Sequence, residues 1–315
     1  MCFQKEHCTP TGGGACLFVH FVGNRPEEER LHFALSNDGY NYSPLFGGKE
    51  AVLQQKGTGC VRDPYILRGE DGAFYIIGTD MKSEDGWLSN HALVTWRSED
   101  LLHWTDETIL DIRDFSGSFA DTTRAWAPQA IRDKEKGQYM VYWAHSAGTE
   151  IPAALYYAYT SDFKSLSTPQ PLYVRTGIQT IDGDIVYNEK DGYYYLYFKE
   201  DVTQSIAWVR SKHLTGPYDA APPVIASHAP SGVEGSSLIP LPGTDRHLLF
   251  MDEYGKGRFF LEETADFQRF TPVPREQYGF HNLVPRHGSF LWITREEAER
   301  LRAGRIKNEE LRIKK

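Results

Sequence analysis

The chain has 315 residues, and its 34 Lys and Arg against 43 Asp and Glu give a formal charge of −9. No basic run interleaves with aromatics, so nucleic acid is excluded as the expected partner. The apolar run ACLFVHFV is too short to cross a bilayer and no apolar leader precedes it, so the expectation is a soluble cytoplasmic protein with no membrane contact, or a secreted one if a signal has been trimmed.

Aromatic residues make up 13% of the sequence, with 18 Tyr and 7 Trp, which favours strands and supplies flat surfaces for sugar rings. Cys2, Cys8, Cys16 and Cys60 lie in the first fifth of the chain without metal-ligand spacing, and are read as free thiols. Two strands follow near the N-terminus, ACLFVHFVGN and LHFALSNDGYNY.

From there the sequence repeats. Five segments pass from a polar or small residue through Pro or Gly into apolar residues: RDPYIL from Arg62, WAPQAI from Trp126, IDGDIV from Ile181, VEGSSL from Val233 and RHGSFL from Arg286. Their second residues, Asp63, Ala127, Asp182, Glu234 and His287, are 64, 55, 52 and 53 positions apart. That period suits four-stranded propeller blades and is too long for a helical solenoid. Each of the first four is followed by aromatic-rich strands such as GAFYIIGTD and GYYYLYFKED, with Gly punctuation that reads as hairpin turns.

The fifth segment has no strands after it, and its partners are the two N-terminal strands. The expected fold is therefore an all-β five-bladed propeller, closed by N- and C-terminal strands sharing one blade, with no exposed sheet edge. It forms one domain over 1–315, with its core at about 15–294. Thr294 and Glu297 stand in capping-box spacing at the start of a short basic C-terminal helix and tail, 295–315, the helix ending near Gly304.

Inner strands line a propeller's channel, so residues at their starts converge on one mouth of the axis. Singly, each has a plain explanation: Asp63 begins an Asp-Pro turn, Asp182 caps another, Glu234 is a surface residue and His287 an interior histidine. Three acids and a histidine in one structural column instead describe a site. Asp184, two residues after Asp182 on the same face, competes with it for the same role.

Asp-Pro at the first inner strand, WAP at the second, Ile-Asp-Gly followed by DGYYYLYF at the third, Glu-Gly at the fourth and RHGS at the fifth resemble glycoside hydrolase family 43, from about residue 15 to 294. The resemblance implies an inverting, exo-acting glycosidase on terminal α-L-arabinofuranosides of plant-type oligo- or polysaccharides, with β-D-xylosides as the alternative. Asp63 matches the general base, Glu234 the general acid, and Asp182 the residue that raises the acid's pKa. Trp126 matches a wall of the sugar pocket, and Arg62, Gln129 and Asp184 complete the substrate-binding set. His287 matches an axial histidine beside water or calcium; the chemistry itself requires no cofactor. Gln129 replaces an Asp common in relatives, and EGSS lacks the residue that often follows the acid. Two other readings are an invertase-like retaining enzyme, which shares the RDP triplet, and a non-catalytic carbohydrate-binding propeller. The first lacks its upstream Asn-Asp-Pro-Asn-Gly motif here, and the second has no need for acids in three axial positions.

Overall fold

The computed structural model describes residues 14–313 apart from 150–151, 220–223, 226–227 and 230, with side chains at 224–225 and beyond 304 also left aside. Cys2 and Cys8 lie outside the described residues; Cys16 and Cys60 are free and buried.

Five sheets form the five blades of a propeller. The inner strands are Val61–Arg68, Thr122–Asp133, Thr180–Asn188, Glu234–Pro240 and Gly288–Ile293 for blades one to five. In blades one to four, three further strands follow antiparallel and in chain order. Blade five is assembled from both ends: Gly288–Ile293 pairs with Ala15–His20, which pairs with Leu31–Ser36, as the split repeat predicts.

Four inner strands open with the same irregularity. The ladder passes from Arg62 to Tyr65, Trp126 to Gln129, Ile181 to Asp184 and Glu234 to Ser237, with one residue more than the partner strand spends. This is a β-bulge, which re-aims side chains at a strand's end. Its first residue is left-handed in each case: Asp63 (φ 50°), Ala127 (47°), Asp182 (56°) and Gly235 (59°). Asp tolerates that region better than most residues.

Blade faces pack on one another through apolar side chains, as where Phe290 of blade five stacks on Phe250 of blade four at 4.1 Å. Polar contacts close the junctions. Inner strands are too far apart around the axis to pair by backbone, so each leaves N–H groups facing its neighbour, and buried donors need acceptors. Thr79 Oγ1 accepts from Ala127 N, Tyr142 Oη from Ile185 N, Asp184 Oδ2 from Leu238 N, Asp252 Oδ2 from His287 N and Ser289 Oγ from Ile66 N, at 2.7–3.0 Å. Every blade thus holds the inner strand of the next.

The capping box forms as expected: Glu297 N donates to Thr294 Oγ1 and Thr294 N to Glu297 Oε2. The helix, however, runs past Gly304 to Ile313. Glu297 also takes two hydrogen bonds from Arg68 of blade one, and Ala298 and Leu301 pack into the core between blades five and one. That anchoring fixes the first turns of the helix by tertiary packing.

The latch set makes a stability prediction. Asp184→Ala removes the side-chain acceptor of the buried Leu238 N–H and should cost about 1–3 kcal/mol in urea unfolding. Asp184→Asn keeps an acceptor oxygen and should recover most of that loss.

Candidate active site

The bulges turn Asp63 and Asp182 toward the axis. With Pro64, Tyr65, Ala127, Pro128, Gln129, Gly235, Ser236, His287 and Gly288 they line an axial cavity that offers the centre of a water molecule about 10 Å³. His287 stands between the two acids, its Nε2 3.5 Å from Asp63 Oδ1 and its Nδ1 3.8 Å from Asp182 Oδ2. Thr79 Oγ1 donates to Asp63 Oδ2 at 2.8 Å while accepting from Ala127 N, which fixes both hydroxyl and carboxylate.

Blade four departs from the expected column. The bulge register makes Gly235, not Glu234, the counterpart of Asp63, Ala127 and Asp182; Glu234 is the counterpart of Arg62, Trp126 and Ile181. The reason is steric as well as conformational. A Cβ on Gly235 would lie 2.2 Å from Cβ of His287, so the position facing the histidine must be glycine. Glu234 reaches the site from one residue earlier. Asp182 Oδ2 accepts from Gly235 N at 3.0 Å, tying the third blade's acid to the backbone beside Glu234.

Glu234 lies between two cations, with Lys199 Nζ 3.0 Å from Oε2 and an Arg286 nitrogen 2.7 Å from Oε1. Arg286 also bonds Asp252 Oδ2 at 2.8 Å. None of Lys199, Arg286 and Asp252 was identified from the sequence. A signal for two of them existed: Lys199 and Asp252 lie directly across the hairpin from Ile181 and Glu234, as Thr79 does from Arg62, in the polar ends of the second strands.

These neighbours set the proton's place. Burial raises the Asp182 carboxyl to about 6, with Glu234 and Asp63 adding to the rise and His287 and Lys199 opposing it. Burial also pushes Glu234 upward, but Lys199, His287 and Arg286 outweigh it and hold this carboxyl below its ordinary value. For His287 burial disfavours the cation, and Asp63, Asp182 and Glu234 more than reverse that. The expectation that Asp182 alone keeps Glu234 protonated therefore meets two close cations in the free protein. Asp63, Asp182, Glu234 and Asp252 thus share one cluster with Lys199, Arg286 and His287, in which burial favours the neutral form of Asp182 and also raises Asp252.

The remaining candidates separate. Gln129 lines the cavity and accepts from the Tyr142 hydroxyl at 2.9 Å. Trp126, expected as a wall of the sugar pocket, is half-buried three residues earlier and does not itself line this cavity. Arg62 does not line the cavity: its guanidinium is ion-paired to buried Glu29 at 2.8 Å, bonded to Asn24, and held between the rings of Phe21 and Trp87. Asp184 is fully buried in its latch to Leu238 and does not line the cavity, whereas its rival Asp182 does.

A five-bladed propeller with acids from three blades gathered at one mouth of its axis has the frame of a carbohydrate-active enzyme. The model of the glycosyl hydrolase 43-related family, described as a probable glycosyl hydrolase domain, matches residues 14–299, and the chain belongs to that family. It is 25% identical over 286 residues to an α-L-arabinofuranosidase of Bifidobacterium longum subsp. longum, a match covering 79% of this chain and 26% of that protein, about a quarter of its length. Among solved structures, an endo-1,4-β-xylanase from Bacteroides thetaiotaomicron superposes with a TM-score of 0.58 at 13% identity, over 82% of this chain and 93% of that one. A xylan β-1,4-xylosidase from Bacillus halodurans does so with 0.57 at 18% identity, over 89% and 58%. These two likenesses establish the fold.

The Gly235 packing is open to direct test. Gly235→Ala should lose about 1–3 kcal/mol of stability through left-handed strain and the clash with His287. By displacing the imidazole it should also lower turnover of any substrate, by up to about a hundredfold.

Proposed function

We propose that the chain is an inverting glycosidase that releases terminal α-L-arabinofuranosyl groups from oligo- or polysaccharides. The observation that carries the hydrolytic part is the convergence of three acids from three blades on His287, with Asp63 and Asp182 lining the axial cavity and Glu234 behind it, within 4.8 Å of the histidine. The sugar is inferred from the family resemblance and from the relative in Bifidobacterium longum.

In this reading Asp63, oriented by Thr79, activates water on one face of the sugar, and Glu234 protonates the leaving oxygen from the other. The acid's proton is drawn from the shared cluster. Sugar hydroxyls that accept from Lys199 or Arg286 weaken their hold on Glu234, and the proton held near Asp182 becomes available to it. Calcium is not assigned a step. The cavity has room for about one water, the unpartnered Ser236 Oγ and His287 Nδ1 suit water, and His287 and Arg286 already supply positive charge where an oxygen-rich ion site would need further ligands.

A panel of nitrophenyl glycosides identifies the sugar; turnover of the β-D-xyloside and not the α-L-arabinofuranoside would transfer the specificity, and turnover of none would leave a binding propeller. Proton NMR of the first-formed anomer should show inversion, and retention would remove Asp63 as base. Glu234→Gln should cost about 10²–10⁴-fold on poor leaving groups and far less on dinitrophenyl glycosides.

The pH profile separates the cluster's members. Activity should fall as pH rises through the region of about 6 where the Asp182 proton is lost. Lys199→Met removes a cation that favours ionised Glu234, so the alkaline limb should move to higher pH. Asp182→Asn removes a neighbouring negative charge, so Glu234 ionises more readily and the limb should move to lower pH. Shifts of the same sign in both variants would contradict the assignment.

A further inference from the structure

Trp87 sits in the connection between Phe74–Asp80 and Ala92–Ser98 of blade one, on the face where Asp63 opens its strand. Its side is 50% exposed, against full or partial burial of the other described tryptophans. Half-exposed indole is costly surface unless something covers it in use.

The ring is also held firmly. Its plane meets Trp126 edge-on, with centroids 6.2 Å apart, and the Arg62 guanidinium lies 5.1 Å from its centroid. That guanidinium is itself fixed by Glu29 and Asn24 and backed by Phe21 at 4.5 Å. A buried ion pair spent on orienting an exposed ring suggests a platform.

Beside it are donors with nothing to bond. Trp126 Nε1 and Arg124 Nε are buried and lack partners among the described residues. Arg124 gives one hydrogen bond to Gln179 Oε1 at 2.7 Å, lies over the Trp126 ring at 5.1 Å, and has no described carboxylate within ion-pair distance. Burial depresses its pKa. Those two nitrogens lie below the surface, so the contact offered to a ligand is the exposed indole plane of Trp87, which matches the C–H face of a neutral sugar ring.

Trp126 directly precedes Ala127, which lines the axial cavity, whereas Trp87 touches Trp126 but not the cavity. We propose that Trp87 is the binding platform for the first sugar unit on the leaving-group side, a neutral glycosyl ring stacked on the exposed indole beside Trp126. This rests on the exo-glycosidase reading, in which the terminal sugar fills the axial mouth and everything beyond it leaves.

The test compares an oligosaccharide with the glycosyl fluoride of the same terminal sugar, which has no leaving-group ring. In Trp87→Ala the ratio of kcat/KM for oligosaccharide to that for fluoride should fall about tenfold, mainly through KM, and Trp87→Phe should recover most of it. An unchanged ratio, or equal loss on both substrates, overturns the platform. A wild type that cleaves neither substrate sinks the glycosidase reading instead; binding of the oligosaccharide by calorimetry then decides the platform, weakened in Trp87→Ala if it stands and unaltered if it falls.

Discussion

One interaction, repeated at five junctions, organises this protein: a side-chain oxygen of one blade accepts a backbone N–H from the inner strand of the next. Neighbouring inner strands cannot form a ladder with each other, so without these acceptors the channel wall would contain buried orphan donors. The acceptors differ chemically, being Thr, Tyr, two Asp and Ser, yet the geometry they satisfy is the same. Apolar packing between blades supplies attraction but little angular precision. The directional bonds set the rotation of each blade about the axis, and hence where the strand ends meet.

The site grows out of the same framework. Thr79 and Asp252 serve as latches and as partners of the acid cluster: Thr79 orients Asp63, and Asp252 holds both the His287 backbone and Arg286. Loss of register at either junction would therefore disturb charge as well as shape. The left-handed bulges then bring Asp63 and Asp182 to opposite sides of one imidazole, an arrangement that isolated strands would not hold against like-charge repulsion.

Electrostatically the mouth is a cluster of interacting buried ionisable groups and not a lone acid pair. Burial raises the Asp182 carboxyl, which has no direct lysine or arginine partner, while Glu234, which has both, is held below its ordinary value. Such a set responds as a unit, so a hydroxyl that engages one cation changes the proton affinity of every acid around it. The aromatic rim at Trp87 and Trp126 lies outside that charged centre, where an apolar sugar face gains most from burial.

By itself the sequence determined the architecture. A period of 52 to 64 residues, aromatic hairpins after each inner strand and an unpartnered last segment are local or periodic signals, and they are sufficient for five blades closed by both termini. Asp63 and Asp182 were legible because they fall at the same point of each repeat, and Glu234 and His287 because their motifs align with that point to within a residue. Tertiary structure decided what repetition cannot express. Only the bulge register separates Glu234 from Gly235 as the counterpart of Asp63, because a one-residue offset leaves the motif unchanged but alters which side chain faces the axis. Only the assembled ring shows that Asp184 is a latch and Arg62 a brace for Trp87, since their partners lie in other blades or distant loops. The same holds for Lys199, Arg286 and Asp252, whose influence on the acids depends on distances across three blades. Local pattern reports which residues recur at a strand's start; the charge each of them carries is set by neighbours that the chain brings together only on closing.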